Sequence, residues 1–252
     1  MSLDIMRMNT RTVYFFKASR NGGRLMSEFE QRLARLKDDL ITQGTRVRDM
    51  VLRSVECFFG QDGEIAAAVV ADDHVIDRVD VEIERASIPL LGMGVTDEYA
   101  IRTVLTIVKI NNELERIADC AVDIAEVVLA SDEHAEPPPT EFRVMANSIV
   151  GMVRDANTAL AGLDIALARQ VLGCDDAVAE FMGKVGLDVE ERVAGGSLSV
   201  AFVFRLSAVT KSLGQIADHC TNICEQVIYL ESGQIVRHRP DGWSDPWIPE
   251  TS

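Results

Sequence analysis

The sequence predicts an all-α protein made of two tandem antiparallel three-helix bundles. Three observations predict it. Long segments carry apolar residues at steps of three, four and seven, with caps and breakers between them. Aromatic residues are scarce, at 6%, so Ala, Val, Leu and Ile carry the apolar load, which suits helix-on-helix packing. Short motifs recur in the same order in the two halves of the chain. The 252 residues suffice for one large domain or two small ones, each able to bury a core.

Residues 1–25 differ from the rest. They hold Arg7, Arg11, Lys17, Arg20 and Arg24 against the single acid Asp4, and read as a basic extension or as sequence ahead of a natural start at Met26. Five cations could meet anionic lipid; a segment without structure is the plainer reading. The first repeat, 26–130, opens with a helix from about Ser27 to Phe59. Ser27 and Glu30 form a capping-box pattern, and Phe29, Leu33, Leu36, Leu40, Val47, Val51, Val55 and Phe58 mark one apolar face. Gly60 to Gly63 is a turn. A second helix covers about Glu64 to Leu90, with Ile65, Val69, Ile76, Val79, Ile83 and Leu90 inward and Pro89 near its end. Gly92 and Gly94 break the chain, Thr96 or Asp97 caps, and the third helix runs from about Glu98 to Leu129.

Residues 131–140, with three prolines and an acidic run, cannot continue a helix and form the linker. In the second repeat, 141–238, a fourth helix spans about Glu141 to Leu160. A fifth follows Gly162 and an Asp164 cap and ends before Gly195-Gly196, and a sixth runs from about Ser197 to Glu231, stopped by Gly233. The tail, 239–252, holds three prolines and two tryptophans and reads as irregular.

The repeat rests on three matches. Val47-Arg48-Asp49 recurs as Val153-Arg154-Asp155, and Asp72-Asp73 as Asp175-Asp176. Ile117-Ala118-Asp119 with Ile124 and Glu126 recurs as Ile216-Ala217-Asp218 with Ile223 and Glu225. The offset drifts from 106 to 103 to 99, as shorter turns in the second unit would produce. Short turns also make neighbouring helices antiparallel; the two bundles could then lie end to end or side by side.

Charge narrows the partners. The formal charge is −15, which repels phosphate backbones, disfavours nucleic acid, and attracts cations or basic protein surfaces. Cys57, Cys120, Cys174, Cys220 and Cys224 are odd in number and form no CxxC, so they read as small core residues in a reducing compartment. No apolar run reaches the 18–20 residues of a membrane span, and the start has no secretory pattern, so the protein is expected in the cytoplasm.

Chemistry concentrates on the third and sixth helices. Glu115, Asp119, Asp123 and Glu126 fall within roughly an 80° arc of the third helix, opposite Ile117, Ala121, Ile124 and Val128. Asp218, Asn222 and Glu225 repeat the design on the sixth, away from Ile216, Ile223 and Val227. Such a stripe is either a solvated face or a hard-cation site. Carboxylates four residues apart repel one another, and a bridging cation reverses that penalty. Oxygen ligands favour magnesium, manganese, calcium or iron. One helix supplies too few ligands, and Asp49, Asp72, Asp73 and Asp77 are the candidates to complete the set.

The stretch Lys109-Ile-Asn-Asn-Glu-Leu-Glu-Arg-Ile-Ala-Asp-Cys-Ala-Val-Asp-Ile-Ala-Glu126 resembles the signature helix of the PhoU family, and Ile216 to Tyr229 with Gly233 and His238 resembles that family's C-terminal repeat. The resemblance covers roughly residues 26 to 238. It implies tandem three-helix bundles in a cytoplasmic regulator of phosphate uptake and phosphate-regulon signalling. Such regulators act with the phosphate ABC transporter and its sensor histidine kinase, often as a homodimer, and reach the membrane only through those partners. It also implies metal (Fe, Mn, Mg or Zn) on a Glu/Asp-x-x-x-Asp motif in each repeat. Glu115-Arg-Ile-Ala-Asp119 matches that motif in full. The second copy keeps Asp218 but has Gly214 and Gln215 where the family has an acid and an Arg, and Lys211 lies one turn below. The family's acid before the Arg that opens the third helix is also missing, since the stretch reads Ala100-Ile101-Arg102. At most one well-formed cluster is therefore expected, in the first repeat.

Two other classes compete. A diverged, metal-free interaction module is consistent with Gly214 and Ala100. A ferritin-like metalloenzyme would need Glu-x-x-His pairs, and Ala71, Ser131, Ile216 and Ile235 stand three residues before His74, His134, His219 and His238. His219 beside Cys220 and Cys224 has no zinc-site spacing and reads as an ordinary helix residue. No Gly-rich phosphate loop and no nucleophile–base pairing points to catalysis.

Overall fold

The computed structural model describes residues 27–93, 97–131 and 136–236. The basic segment 1–25, the cap candidate Thr96, linker residues 132–135, His238 and the tail 239–252 lie outside the described residues. The described chain forms seven helices: α1 Glu28–Gly60, α2 Gly63–Gly92, α3 Glu98–Leu129, α4 Thr140–Gly162, α5 Ile165–Leu172, α6 Asp175–Ala194 and α7 Val200–Ser232.

Five of the seven starts are capped by residue types that favour caps, while α4, after Pro139, and α6, after Cys174, have no side-chain cap. The Ser27 hydroxyl accepts from Glu30 N at 3.2 Å while the Glu30 carboxylate accepts from Ser27 N at 2.7 Å, which completes the capping box. The carboxylates of Asp62, Asp97 and Asp164 accept from the first-turn amides of α2, α3 and α5, and the Ser199 hydroxyl does so for α7. The turn Gly60-Gln61-Asp62 recurs as Gly162-Leu163-Asp164, and in both the middle residue is left-handed, with φ 50°. Pro89 lies inside α2, three residues before its last, where few following residues depend on the helical bonding it disturbs.

One expectation is corrected. The single fifth helix is two, α5 and α6, with Gly173 and Cys174 between them. Glycine is the weakest non-proline helix former, and the Asp175-Asp176 pair that follows favours a new N-terminus, so the periodicity ran through a break it could not register.

The two units, α1–α3 and α4–α7, lie side by side, with the broken pair α5–α6 of the second in the place of α2. α3 packs as extensively on α7 as on α2, and α1 also meets α4. The apolar faces of the two signature helices, with Leu114, Ile117, Ile124, Ile216, Ile223 and Val227 all buried, belong to one continuous core. Phe58, Phe59 and Phe142 add an aromatic cluster where α1 ends and α4 begins, with ring centroids 5.5–5.8 Å apart.

Two glycines permit close crossings. The Asn157 amide donates to the Gly44 carbonyl at 2.7 Å, joining α4 to α1, and a Cβ on Gly44 would stand 2.6 Å from Asn157 Oδ1. Gly233, at φ 76°, ends α7, and a Cβ there would meet Arg102 Nη1 at 2.5 Å. The first crossing is testable. Gly44→Ala alone should be neutral or destabilising, because the gain in helix propensity is offset by eviction of Asn157. In an Asn157→Ala background the same change should stabilise by about 1 kcal/mol. Urea unfolding of the four proteins reads the difference, and equal effects in both backgrounds would show that the crossing is slack.

Candidate functional site

α2 and α3 run antiparallel, and their facing edges are acidic. Asp73, Asp77 and Asp80 recur on one face of α2 at steps of four and three, while Glu115, Asp119 and Glu126 lie on α3. The charges meet in reverse order: Glu115 senses Asp119, Asp80 and Asp77; Asp119 senses Asp77 and Asp123; Asp73 senses Asp77, Asp119 and Glu126. The result is a ladder of carboxylates along the α2–α3 seam. Desolvation first, then these neighbouring acids, raise the Asp73, Glu115 and Asp119 carboxyls above their ordinary values. Asp80 is raised likewise, by burial, Glu84 and Asp77, and its carboxylate and carbonyl both accept from the Asn111 amide, at 2.6 and 3.0 Å.

Of the helix-one and helix-two candidates, Asp73 and Asp77 join the ladder. Asp72 is instead paired with Arg53, and Asp49 with Arg48 at 2.8 Å. Asp80 was missed by sequence reasoning, although its place on the face of Asp73 and Asp77 was a readable signal. One buried oxygen of the ladder, Asp73 Oδ1, accepts no hydrogen bond. The ladder is drawn out along the seam: among the described residues no group of three or more His, Cys, Asp or Glu side chains is already gathered tightly enough to hold a metal ion.

The second repeat separates its three candidates. Asp218 faces Asp175 of α6, and burial followed by Asp175 raises its carboxyl. The Asn222 amide donates to Glu113 Oε2 at 3.0 Å, so it serves the contact between repeats. Glu225 is half-buried beside Lys109 and Tyr229. At Gly214, where the acid of the motif is missing, Met182 fills the space: its Cε and Sδ stand 3.2 and 3.3 Å from where a Cβ would be.

His219, read from the sequence as an ordinary helix residue, has a definite task. Its Nδ1 lies 2.7 Å from Glu113 Oε2, the oxygen that Asn222 also contacts. Burial alone would raise the Glu113 carboxyl, but the bonds from His219 and Asn222 outweigh it and hold the group below its ordinary value. Sequence reasoning missed Glu113 because its partner stands 106 residues away. The cysteines are core residues as expected, with Cys174 half-buried and the other four buried. Desolvation pushes the Cys57 thiol up to about 11 and the Cys120 and Cys224 thiols to about 12.

A duplicated helical unit, packed through the last helix of each copy and carrying an Ile-Ala-Asp motif there, defines the class as tandem-repeat helical bundles. The chain belongs to the PhoU family: the PhoU domain matches twice, at residues 40–128 and 142–227. The PhoU homolog 1 of Thermotoga maritima, a phosphate-specific transport system accessory protein, is 29% identical over 208 residues, 82% of this chain and 90% of its own length. The crystal structure of PhoU from Pseudomonas aeruginosa matches with a TM-score of 0.78 at 26% identity, covering 82% of this chain and all of that one. That of the phosphate transport system regulatory protein PhoU from Streptococcus pneumoniae matches the fold with a TM-score of 0.75 at 22% identity, over 84% of this chain and all of that one.

Two predictions follow from the charges. A carboxyl whose folded value is raised binds its proton more tightly in the folded than in the unfolded chain, so its contribution to stability grows as pH falls through that raised value. Melting temperature in chelator should therefore rise from neutral pH toward roughly pH 5. Asp119→Asn should raise the neutral-pH value and flatten the rise; thermal melts across pH check both. Glu113 has the opposite sign: its contribution is present above its ordinary value and lost as pH falls through its lowered one. Glu113→Ala should cost about 2 kcal/mol, the scale of a hydrogen bond to a charged group, measured by urea unfolding at neutral pH.

Proposed function

We propose that this protein regulates phosphate uptake and phosphate-responsive signalling from the cytoplasm, through contact with a phosphate ABC transporter and its sensor histidine kinase. The observation that carries the reading is the match of both repeats, in order, to a family whose compared members bear names of phosphate transport accessory or regulatory proteins. The role is regulatory rather than enzymatic. It is consistent with the finding that no helix among the described residues is long and apolar enough to cross a membrane, so membrane contact runs through partners. A homodimer is part of the proposal. A pull-down of the transporter ATPase and the histidine kinase on the full chain, at high and low phosphate, tests it. Phosphate-dependent capture is expected, and capture of neither protein at either concentration overturns the reading.

The same proposal places a metal, iron, manganese, magnesium or zinc, on the first repeat. The donor chemistry fits: carboxylates that raise one another, and a buried Asp73 oxygen without a hydrogen bond, are groups that a cation relieves. Glu115 and Asp119 would hold it with Asp73, Asp77 and Asp80, and Asp123 and Glu126 would add charge at the edge. The second repeat fits poorly, since Met182 occupies the place of the lost acid and Asn222 is bonded to Glu113. A metal-free interaction module is the alternative, supported by that second repeat. Metal analysis of protein purified without chelator separates the two. Metal should be present and should fall to background in Glu115→Ala/Asp119→Ala; undiminished metal in the double variant overturns this site, and none in the parent favours the alternative.

A further inference from the structure

The two Gly-X-Asp turns put α2 and α5–α6 in register at an offset of 102. The buried pairs Ala66/Ala168, Val69/Val171, Ile76/Val178 and Ile83/Val185 keep that register. Asp73 then corresponds to Asp175, one residue off the match of Asp72-Asp73 to Asp175-Asp176 read from the sequence, and Asp77, Asp80 and Glu84 correspond to Ala179, Met182 and Gly186. On the partner helix, at an offset of 99, Glu115 corresponds to Gly214 and Asp119 to Asp218. Where the first repeat has an acidic seam, the second has an apolar one.

That seam is open. Between α6 and α7 lies a groove of ≈ 740 Å³, with Val178, Met182, Val185, Val189, Val203 and Leu206 in its lining. α6 buries only Val178 and Val185, whereas α2 buries Ala66, Val69, Ile76, Ile83, Ser87 and Leu90. A Cβ on Gly186 would meet nothing within 4 Å. At the end of the groove where α6 passes into α7, Val193, Val200 and Phe204 are exposed, Phe204 at 73%. The charges at the groove are Asp175, Glu190 and Asp218 against the single cation Lys211.

From this we infer that the α6–α7 groove docks a cationic amphipathic helix of another protein. Length fits: Asp175 to Glu190 spans about 22 Å, four turns of helix. Chemistry fits: the floor and the exposed residues beyond it take an apolar stripe, as helix-in-groove recognition requires, and the acidic rim takes the lysines and arginines beside it. The inference is independent of the metal reading. It gives a surface to the partner contacts proposed above and rests on them only in that a protein partner exists.

The probe is a fluorescein-labelled 15-residue helical peptide, with Leu on one face and Lys and Arg on the others, titrated against the full chain by anisotropy. Its counterpart carries Glu in place of the cations. Gly186→Arg fills the groove, and Gly183→Arg places the same charge on the same helix outside it, where a Cβ also meets nothing. The cationic peptide should bind one to one and the acidic one should not. Gly186→Arg should weaken binding about tenfold or more and Gly183→Arg less than about twofold. No binding, equal binding of the two peptides, or equal weakening by the two variants overturns the proposal. So does self-association of the chain that Gly186→Arg abolishes, which would assign the groove to a second copy. The peptide reads the groove alone, so its failure is distinguishable from failure of the transporter pull-down.

Discussion

The fold depends on one packing decision: the last helix of each unit, α3 and α7, lies against that of the other. A lone helix buries one stripe and leaves the rest to solvent. α3 and α7 are each covered on more than one side, and their apolar residues merge into a single core instead of two small ones. A larger core buries a greater fraction of its surface, so the merger supports both units at once. The same seam carries a polar contact, where Glu113 of one unit is held by His219 and Asn222 of the other. Half-buried polar groups so matched tolerate little sliding, which makes the contact a register mark between the repeats.

The acid ladder follows from the first unit's tight α2–α3 packing. On an isolated α3 the carboxylates would be separated by water and weakly coupled. Bringing Asp73, Asp77 and Asp80 against Glu115 and Asp119 removes solvent and adds like charge, so the folded chain carries repulsion that protons or a cation can relieve. In the second unit the places of Asp77, Asp80, Glu84 and Glu115 hold Ala179, Met182, Gly186 and Gly214, and most of the repulsion is absent with the acids. Only Asp175 and Asp218 still face each other. Duplication has thus kept the scaffold and divided the chemistry, with an acidic seam in one unit and an apolar groove in the other.

Much of this was legible in the sequence. Helix number in the first unit, the caps at Ser27 and Asp164, the stop at Gly233 and the inequality of the two motifs were all read from local residue types, because capping and periodicity act within a turn or two; the choice of Asp97 over Thr96 came from the structure. The break at Gly173 was not, since the apolar spacing of α5 continues into α6 and a single glycine does not by itself end a helix. Asp80 could have been found from its spacing to Asp73 and Asp77. Glu113 could not, because nothing local pairs it with His219.

By itself, then, the sequence determined what each helix is: its ends, its apolar face and the acids it displays, all set by backbone geometry at short range. It also determined that the second motif lacks its acid at Gly214. Tertiary structure alone decided which faces meet. Side-by-side rather than end-to-end bundles, the reverse-order ladder across α2 and α3, the filling of the Gly214 space by Met182 and the sharing of Glu113 by His219 and Asn222 all join residues far apart in the chain. Those contacts depend on how surfaces pack, and helical periodicity shows which face is buried without showing against what.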